Sequence, residues 1–132
     1  MGVMRYLVDT HVLLWWLFDD PELPDGVREI LADPADEILV SAASAWEIAT
    51  KHRVGKLDAA AELVKDIPAW IDRAGFTELS VTVSHAQRAA GFGHAHRDPF
   101  DRVLAAQSEI EGVPLVTSDR VLATFGIPVV WT

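Results

Sequence analysis

Residues Arg5–Trp16, with the sequence RYLVDTHVLLWW, join a short apolar run to an aspartate and then to a segment of helical pattern. The run Arg5–Val8 predicts a β-strand, and Thr10–Phe18 predicts a helix that follows it directly. Further short apolar runs alternate with helical segments along the chain; they are Glu37–Val40, Thr77–Val81, Pro114–Val116 and Pro128–Trp131. This alternation predicts an α/β fold, a three-layer α/β/α sandwich with a mostly parallel central sheet.

The composition indicates a globular protein. The chain has 132 residues, half of them hydrophobic, so it is long enough to bury a core and is most simply one domain, residues 1–132. It contains no cysteine, and therefore no disulfide framework. The longest apolar run, Val12–Phe18, is too short to cross a membrane, and the N-terminus lacks the pattern of a signal peptide. We therefore expect a cytoplasmic protein with no membrane partner.

The net charge is −9, which argues against a broad nucleic-acid-binding surface, because such surfaces are normally basic. A nucleic-acid substrate fits this charge only if much of it lies in a metal-binding cluster or far from the path of the substrate. The local exception is a short basic patch, Lys51–Lys56, with the sequence KHRVGK.

Acidic residues stand at or just after the predicted strand ends, which is where open parallel sheets bind ligands. They are Asp9 after the first strand, Glu47 on the helix after the second, Asp101 at the start of a later helix, and Asp119 after PLVTS. Taken singly, Asp9 and Asp119 need no role beyond capping the helices that follow them. Glu47 is more informative, because an acid in a mostly apolar half-helix faces either solvent or a charged site. Together, the positions allow the four carboxylates to converge at one edge of the sheet.

The stretch His96–Arg102, with the sequence HRDPFDR, places two carboxylates three residues apart. If Pro99 is the first helical residue, Asp98 is the N-cap and accepts a hydrogen bond from the N–H of Phe100 or Asp101. Asp101 then either reaches back in a variant of the capping box or points off the first turn to bind a cation. We predict that Asp98 is structural and that Asp101 is the ligand.

A cluster of carboxylates needs a compensating cation, because like charges in one pocket repel. Oxygen ligands without cysteine or a clear histidine set select a hard ion such as Mg²⁺ or Mn²⁺. Such an ion lowers the pKa of bound water and neutralises charge on a scissile phosphate, so the site suits phosphoryl chemistry. His94 and His96 have a spacing that can bind metal but no third ligand nearby in the sequence, so a solvated or RNA-facing loop is the preferred interpretation.

Four stretches carry a resemblance to a known family, and they occur in the family's order: YLVDTHVLLWW, VSAASAWEIATKHRVGKL, DPFDRVLAAQSEIEGVPLVTSD and FGIPVVW. The chain resembles the PIN-domain ribonucleases and, among them, the VapC toxins of bacterial toxin–antitoxin systems. The resemblance implies an Mg²⁺- or Mn²⁺-dependent endoribonuclease whose water nucleophile leaves a 5′-phosphate and a 3′-hydroxyl. The implied metal ligands are Asp9, Glu47, Asp101 and Asp119.

Supporting roles are also implied by the resemblance. Three small hydroxyl side chains and one further aspartate are expected to orient the ligands or water; these are Thr10, Asp98, Thr117 and Ser118. The candidate phosphate contacts are Lys51, Arg53 and Arg102. Expected partners are an RNA substrate, a second copy of the chain in a homodimer, and a cognate VapB-like antitoxin.

Aromatic residues give two further expectations. Trp46, Trp70 and Phe76 are expected in the core. The helix Val12–Phe18 is apolar on every face, so we expect Trp15 or Trp16 to be covered by a second copy or by the antitoxin. A basic antitoxin side chain, most plausibly Arg, is expected to enter the carboxylate pocket.

Other function classes remain open at this point. A phosphatase needs a second acid two residues after the strand-end Asp9, where this chain has His11, and a phospho-accepting receiver needs a lysine after its last strand, where IPVVWT has none. A non-enzymatic interaction module, whose acids bind metal only structurally, is the alternative from a different class. Metal-dependent RNA cleavage separates these hypotheses.

Overall fold

The central sheet is parallel throughout the part of the chain that the computed structural model describes, residues 3–94 and 96–132. Its five strands lie in the order β3-β2-β1-β4-β5. They are β1 (Arg5–Val8), β2 (Glu37–Ser41), β3 (Thr77–Leu79), β4 (Leu115–Val116) and β5 (Val129–Val130). The predicted α/β/α sandwich is confirmed, and every predicted strand is present, some of them shorter than predicted.

Seven α-helices connect the strands within the described residues, and none of these is long and apolar enough to span a membrane. They are α1 (Thr10–Leu17), α2 (Asp25–Ala32), α3 (Ala42–Arg53), α4 (Ile67–Arg73), α5 (Val83–Gly91), α6 (Pro99–Glu111) and α7 (Arg120–Ala123). Two short 3₁₀ turns, Asp58–Ala60 and Leu63–Lys65, lie between α3 and α4.

The sheet has a hydrophobic core on each face, because successive strand residues point to opposite sides. Val8 and Val40 pack with side chains of α1 to α4, whereas Leu7 and Leu39 pack with side chains of α5 to α7. The helices therefore cover both faces of the sheet. Buried strands of this kind are rich in Val and Leu, as the sequence pattern indicated.

Strand β1 lies at the centre of the sheet, with β2 on one side and β4 on the other. The order of the strands reverses between β1 and β4, so this is the topological switch point, where open α/β sheets bind ligands beyond the carboxyl ends of the strands. Asp9 directly follows β1 there, and its N–H donates a hydrogen bond to the Val116 carbonyl at 3.1 Å. Asp9 therefore lies where a parallel sheet of this kind is expected to carry a functional residue.

The aromatic residues lie only partly as predicted. Phe76 is buried as expected, but Trp46 is 66% exposed and packs edge-on against Phe100, with ring centroids 5.1 Å apart. The prediction for Trp46 was wrong because it lies on the side of α3 that faces the start of α6 rather than the sheet. Trp15 and Trp16 are half-buried, the former against Trp131 and the latter against Phe76. The chain itself thus covers part of the apolar surface of α1.

Candidate active site

Asp9 begins α1, and only 5% of the residue is exposed. Its Oδ1 accepts a hydrogen bond from the Val12 N–H at 2.8 Å, and its Oδ2 accepts one from the Thr117 hydroxyl at 2.5 Å. Burial raises the pKa of Asp9 to about 6; the two hydrogen bonds and His11 oppose this change, and the charge of Asp101 adds to it. The N-cap expected from the sequence is confirmed, and its carboxylate is held where its charge is unfavourable.

Glu47 lies on α3, which begins directly after β2 because the hydroxyl of Ser41 accepts a hydrogen bond from the Ala43 N–H at 3.0 Å. The residue is buried, as expected for an acid that faces a charged site and not solvent. Its Oε2 accepts a hydrogen bond from the ammonium of Lys51, one helical turn later, at 2.5 Å. Lys51 therefore supplies a positive charge next to a buried carboxylate.

Asp98 caps α6 as the sequence predicted, whereas the side chain of Asp101 has a different partner. Asp98 Oδ1 accepts hydrogen bonds from the N–H groups of Phe100 and Asp101 at 2.9 and 3.2 Å, with Pro99 in the first turn of α6. Asp101 does not form a capping box; its Oδ2 accepts a hydrogen bond from His96 Nε2 at 2.9 Å. Burial raises the pKa of Asp101, and the charges of Asp98 and Glu47 add to this, while His96 opposes it.

Asp101 is within electrostatic reach of two other predicted ligands. The Asp101 charge acts on Asp9, and the Glu47 charge acts on Asp101, although each carboxylate has its own hydrogen-bond partner. Asp119 is exposed and caps α7, with its Oδ1 accepting the Val121 N–H at 2.9 Å. Thr117 connects it to the others, because its hydroxyl oxygen accepts the Asp119 N–H at 3.0 Å while its proton goes to Asp9.

The donor chemistry of this region fits a hard cation. The carboxylates of Asp9 and Asp101 are disfavoured by burial and by neighbouring acids, so the region carries negative charge that an ion would offset. Oxygen donors of this type suit Mg²⁺ or Mn²⁺. The carboxylates turn to separate partners, and among the residues described here no three His, Asp or Glu side chains lie close enough to hold one ion. Asp9 is held by Val12 and Thr117, Glu47 by Lys51, and Asp101 by His96.

The remaining predicted residues differ in their surroundings. Thr10 is buried and donates its hydroxyl proton to Ser44 at 3.0 Å, which links α1 to α3. Ser118 and Arg53 are exposed. Lys51 contacts Glu47, as described above.

Arg102 does not have the surroundings expected of a phosphate contact. Its guanidinium donates hydrogen bonds to five backbone carbonyls at 2.7 to 3.4 Å, and these use all the N–H groups of the side chain. The acceptors are Ala89, Ala90, Phe92, His94 and His96. The geometry argues against the predicted role, because no donor is left for RNA.

Two histidines proved more important than the sequence indicated. His96, expected on a solvated or RNA-facing loop, is half-buried and contacts Asp101. His85 is buried and ties α5 to α6: its Nδ1 accepts the Thr82 N–H and its Nε2 donates to Glu111, both at 3.0 Å. The available signal was the position of His96, five residues before Asp101 and just ahead of the helix cap.

Comparison with known proteins gives one family match and one curated relative. The profile of the PIN domain matches residues 6–127. Ribonuclease VapC16 of Mycobacterium tuberculosis (strain ATCC 25618 / H37Rv) is 42% identical over 66 residues, which are 48% of this chain and 47% of that protein. The match thus spans about half the length of the curated relative.

Solved structures share the fold over nearly the whole chain. The VapBC2 complex of Rickettsia felis bound to a DNA fragment from its promoter gives a TM-score of 0.70 at 16% identity and covers 96% of both chains. VapC20 of Mycobacterium tuberculosis, a toxin that cleaves the sarcin–ricin loop, gives 0.61 at 16% identity and covers 96% of this chain and 99% of that chain. At these identities the likeness establishes the architecture alone.

Proposed function

The chain belongs to the PIN-domain family, and on that premise we propose that it is a metal-dependent endoribonuclease, the toxin of a VapBC-like toxin–antitoxin pair. The observation that supports the proposal is the buried Asp9 carboxylate at the switch point of the sheet, whose raised pKa reflects burial and the charge of Asp101, which the charge of Glu47 reaches in turn. Buried acids with raised pKa values in such a position are typical of functional sites. The half-length match to a VapC ribonuclease supports the same activity.

Asp9, Glu47 and Asp101 would hold Mg²⁺ or Mn²⁺, and Asp119 would complete the set from the exposed side. When bound, the cation would supply the charge that activates a water molecule and neutralises the scissile phosphate. Thr117 orients Asp9 through its hydroxyl and connects it to the Asp119 backbone. Asp98 fixes the first turn of α6, which aims the side chain of Asp101. The expected products carry a 5′-phosphate and a 3′-hydroxyl.

Four further residues have smaller roles in the proposal. Thr10 supports the start of α1 through Ser44, and the exposed hydroxyl of Ser118 can orient water beside Asp119. Lys51 and Arg53 lie on the last turn of α3, and their charges can contact an RNA phosphate. These few cations are the local basic area that the acidic chain offers to a polyanion.

A VapB-like antitoxin is the proposed protein partner, in line with the VapBC complexes that share the fold. An arginine from such a partner would pair with the uncompensated carboxylates near Asp9 and Asp101, because a guanidinium binds carboxylates in a bidentate manner. The half-exposed Trp15 and Trp16 on α1 offer apolar surface for the antitoxin or for a second copy in a homodimer.

Cleavage of RNA by purified protein tests the proposal. Labelled RNA should be cut in Mg²⁺ or Mn²⁺ and stay intact in EDTA, and Asp101→Asn should remove the activity. Asp72→Asn, which changes an exposed acid on α4, is the matched control and should cleave normally. The neighbouring gene product should inhibit when it is titrated into the assay.

The same assay separates the rival hypotheses. An intact RNA together with metal binding would favour a non-enzymatic metal-binding module, and hydrolysis of a small phosphate monoester instead of RNA would favour a phosphatase. Cleavage that persists in EDTA would contradict the metal mechanism. A second preparation, made free of host ribonucleases, must give the same result.

A further inference from the structure

Arg102 contacts both ends of the loop between α5 and α6. Its Nε donates to the Ala89 carbonyl at 2.8 Å, and its Nη2 donates to the carbonyls of Ala90 and Phe92 at 3.4 and 2.7 Å. Ala89 and Ala90 belong to the last turn of α5, where carbonyls lack partners within the helix. Arg102 therefore caps α5 and also fixes the start of the loop.

The second half of the guanidinium fixes the end of the loop. Its Nη1 donates to the carbonyls of His94 and His96, both at 2.9 Å. A lysine could not replace this side chain, because an ammonium has three donors without the planar fork of a guanidinium. The backbone carrying His96 is thus tied to α6 beside Asp101.

His94 provides a second support for the same loop. Its ring stacks on Phe125 with centroids 4.1 Å apart, and its Nδ1 accepts the His96 N–H at 3.0 Å. Its Nε2 donates to the Thr124 hydroxyl oxygen, since the proton of that hydroxyl goes to the Val121 carbonyl. His94 thus holds the backbone N–H of His96, and Arg102 holds its carbonyl.

His96 directs its Nε2 proton to Oδ2 of Asp101 at 2.9 Å, so Oδ1 is the oxygen that would bind a cation. We propose that His96 is a positioning residue for the Asp101 carboxylate and that Arg102 acts on the site by holding His96. The inference rests on the proposed metal-binding function. An isolated exposed ion pair would contribute little, because ordering two side chains offsets the attraction. Here both backbone groups of His96 are already fixed, so the hydrogen bond orients the carboxylate at a low cost in entropy.

The affinity for Mn²⁺, measured by calorimetry or by electron paramagnetic resonance, tests the role of His96 without RNA. His96→Ala should weaken Mn²⁺ binding by about 10- to 100-fold, the usual effect of losing a hydrogen bond to a metal ligand. His96→Gln should restore much of the affinity, because its amide N–H can reach the same oxygen. His52→Ala, which removes an imidazole from the last turn of α3, should bind as the wild type does.

Arg102→Lys tests the second half of the inference, with Arg97→Lys on the exposed surface as its control. It should weaken Mn²⁺ binding in the wild-type background but add little to His96→Ala, because both changes act on one contact. Thermal unfolding, recorded in parallel, shows whether weaker Mn²⁺ binding comes from a less stable protein or from a displaced His96. If Arg102→Lys does not fold, the His96→Ala and His96→Gln pair still decides the role of His96.

Wild-type Mn²⁺ affinity in His96→Ala would overturn the inference, as would His96→Gln binding no better than His96→Ala. Additive losses from His96→Ala and Arg102→Lys would overturn the role of Arg102. A wild-type protein that binds no Mn²⁺ would overturn both this inference and the proposed function. If the variants differ in Mn²⁺ affinity as expected but the wild-type protein cleaves no RNA, only the proposed nuclease activity is overturned.

Discussion

The buried carboxylate of Asp9 should make the metal-free protein less stable at neutral pH than a variant with asparagine in its place. Asn has the same shape, and it can keep the cap because its carbonyl oxygen accepts the Val12 N–H as Asp9 Oδ1 does. Its amide N–H can donate to the Thr117 hydroxyl oxygen. The substitution therefore removes a charge while it preserves most of the packing.

The size of the effect follows from the pKa of Asp9, which burial raises from 3.8 to about 6. One pKa unit corresponds to about 1.4 kcal/mol, so ionised Asp9 lowers the free energy of unfolding by about 3 kcal/mol. This value needs little discount for solvent screening because the side chain is buried. Because the pKa of Asp9 is higher in the folded state than in the unfolded state, protonation of Asp9 stabilises the fold. This stabilisation is complete below about pH 4. That advantage is lost as the pH rises through about 6. Asp9→Asn should thus gain about 3 kcal/mol at pH 7 in EDTA and almost nothing at pH 4.

Urea unfolding in EDTA at several pH values measures this difference. Asp66→Asn is the matched control, because Asp66 caps α4 on the exposed surface, and its effect should stay within about 0.5 kcal/mol. Mg²⁺ should reverse the order, since it stabilises only the protein that binds it. A variant less stable than the wild type at pH 7, or a difference that does not change with pH, would refute the reasoning.

Four further predictions concern the same site. Asp101→Asn should abolish RNA cleavage and weaken metal binding without unfolding the protein, and normal turnover would contradict its role. Asp98→Ala should lower the unfolding free energy by about 1 kcal/mol, as a lost N-cap does, and an unchanged melting curve would contradict this. Lys51→Met should lower stability in EDTA, because it removes the ammonium that pairs with Glu47. It should increase the stabilisation by Mg²⁺, because the metal ion alone then neutralises Glu47; Lys56→Met is the control. Binding of Mg²⁺ at limiting concentration, and cleavage with it, should decline as the pH falls through about 6, where Asp9 of the metal-free protein takes up a proton, as a pH–rate profile would record.

Local sequence chemistry predicted the helix starts correctly. The caps at Asp9, Asp98 and Asp119 depend on a carboxylate and the N–H groups two or three residues later, all of which are visible in the sequence. The strands were predicted from apolar runs between such signals, and acidic residues were expected at their carboxyl ends. These features need only neighbouring residues and the general rules of parallel sheets.

Contacts between distant segments were not predictable in the same way. Arg102 was a candidate phosphate contact, but its partners are carbonyls of another helix and a loop, which lie outside its own stretch of sequence. The contact of His96 with Asp101 requires that loop to be held in place. Trp46 was assigned to the core from its residue type, which does not reveal the direction it faces on α3.

The capping role and the proposed metal-binding role of Asp9 depend on the same geometry. A carboxylate at a helix start is held by backbone N–H groups and favoured by the helix dipole, so its direction is fixed before any ligand arrives. Burial outweighs that stabilisation and raises the pKa to about 6. The fold thus keeps a rigid, partly uncompensated negative charge within electrostatic reach of Asp101. A cation would relieve this charge without moving the backbone, so the stability that Asp9 costs the metal-free protein becomes binding energy for the ion.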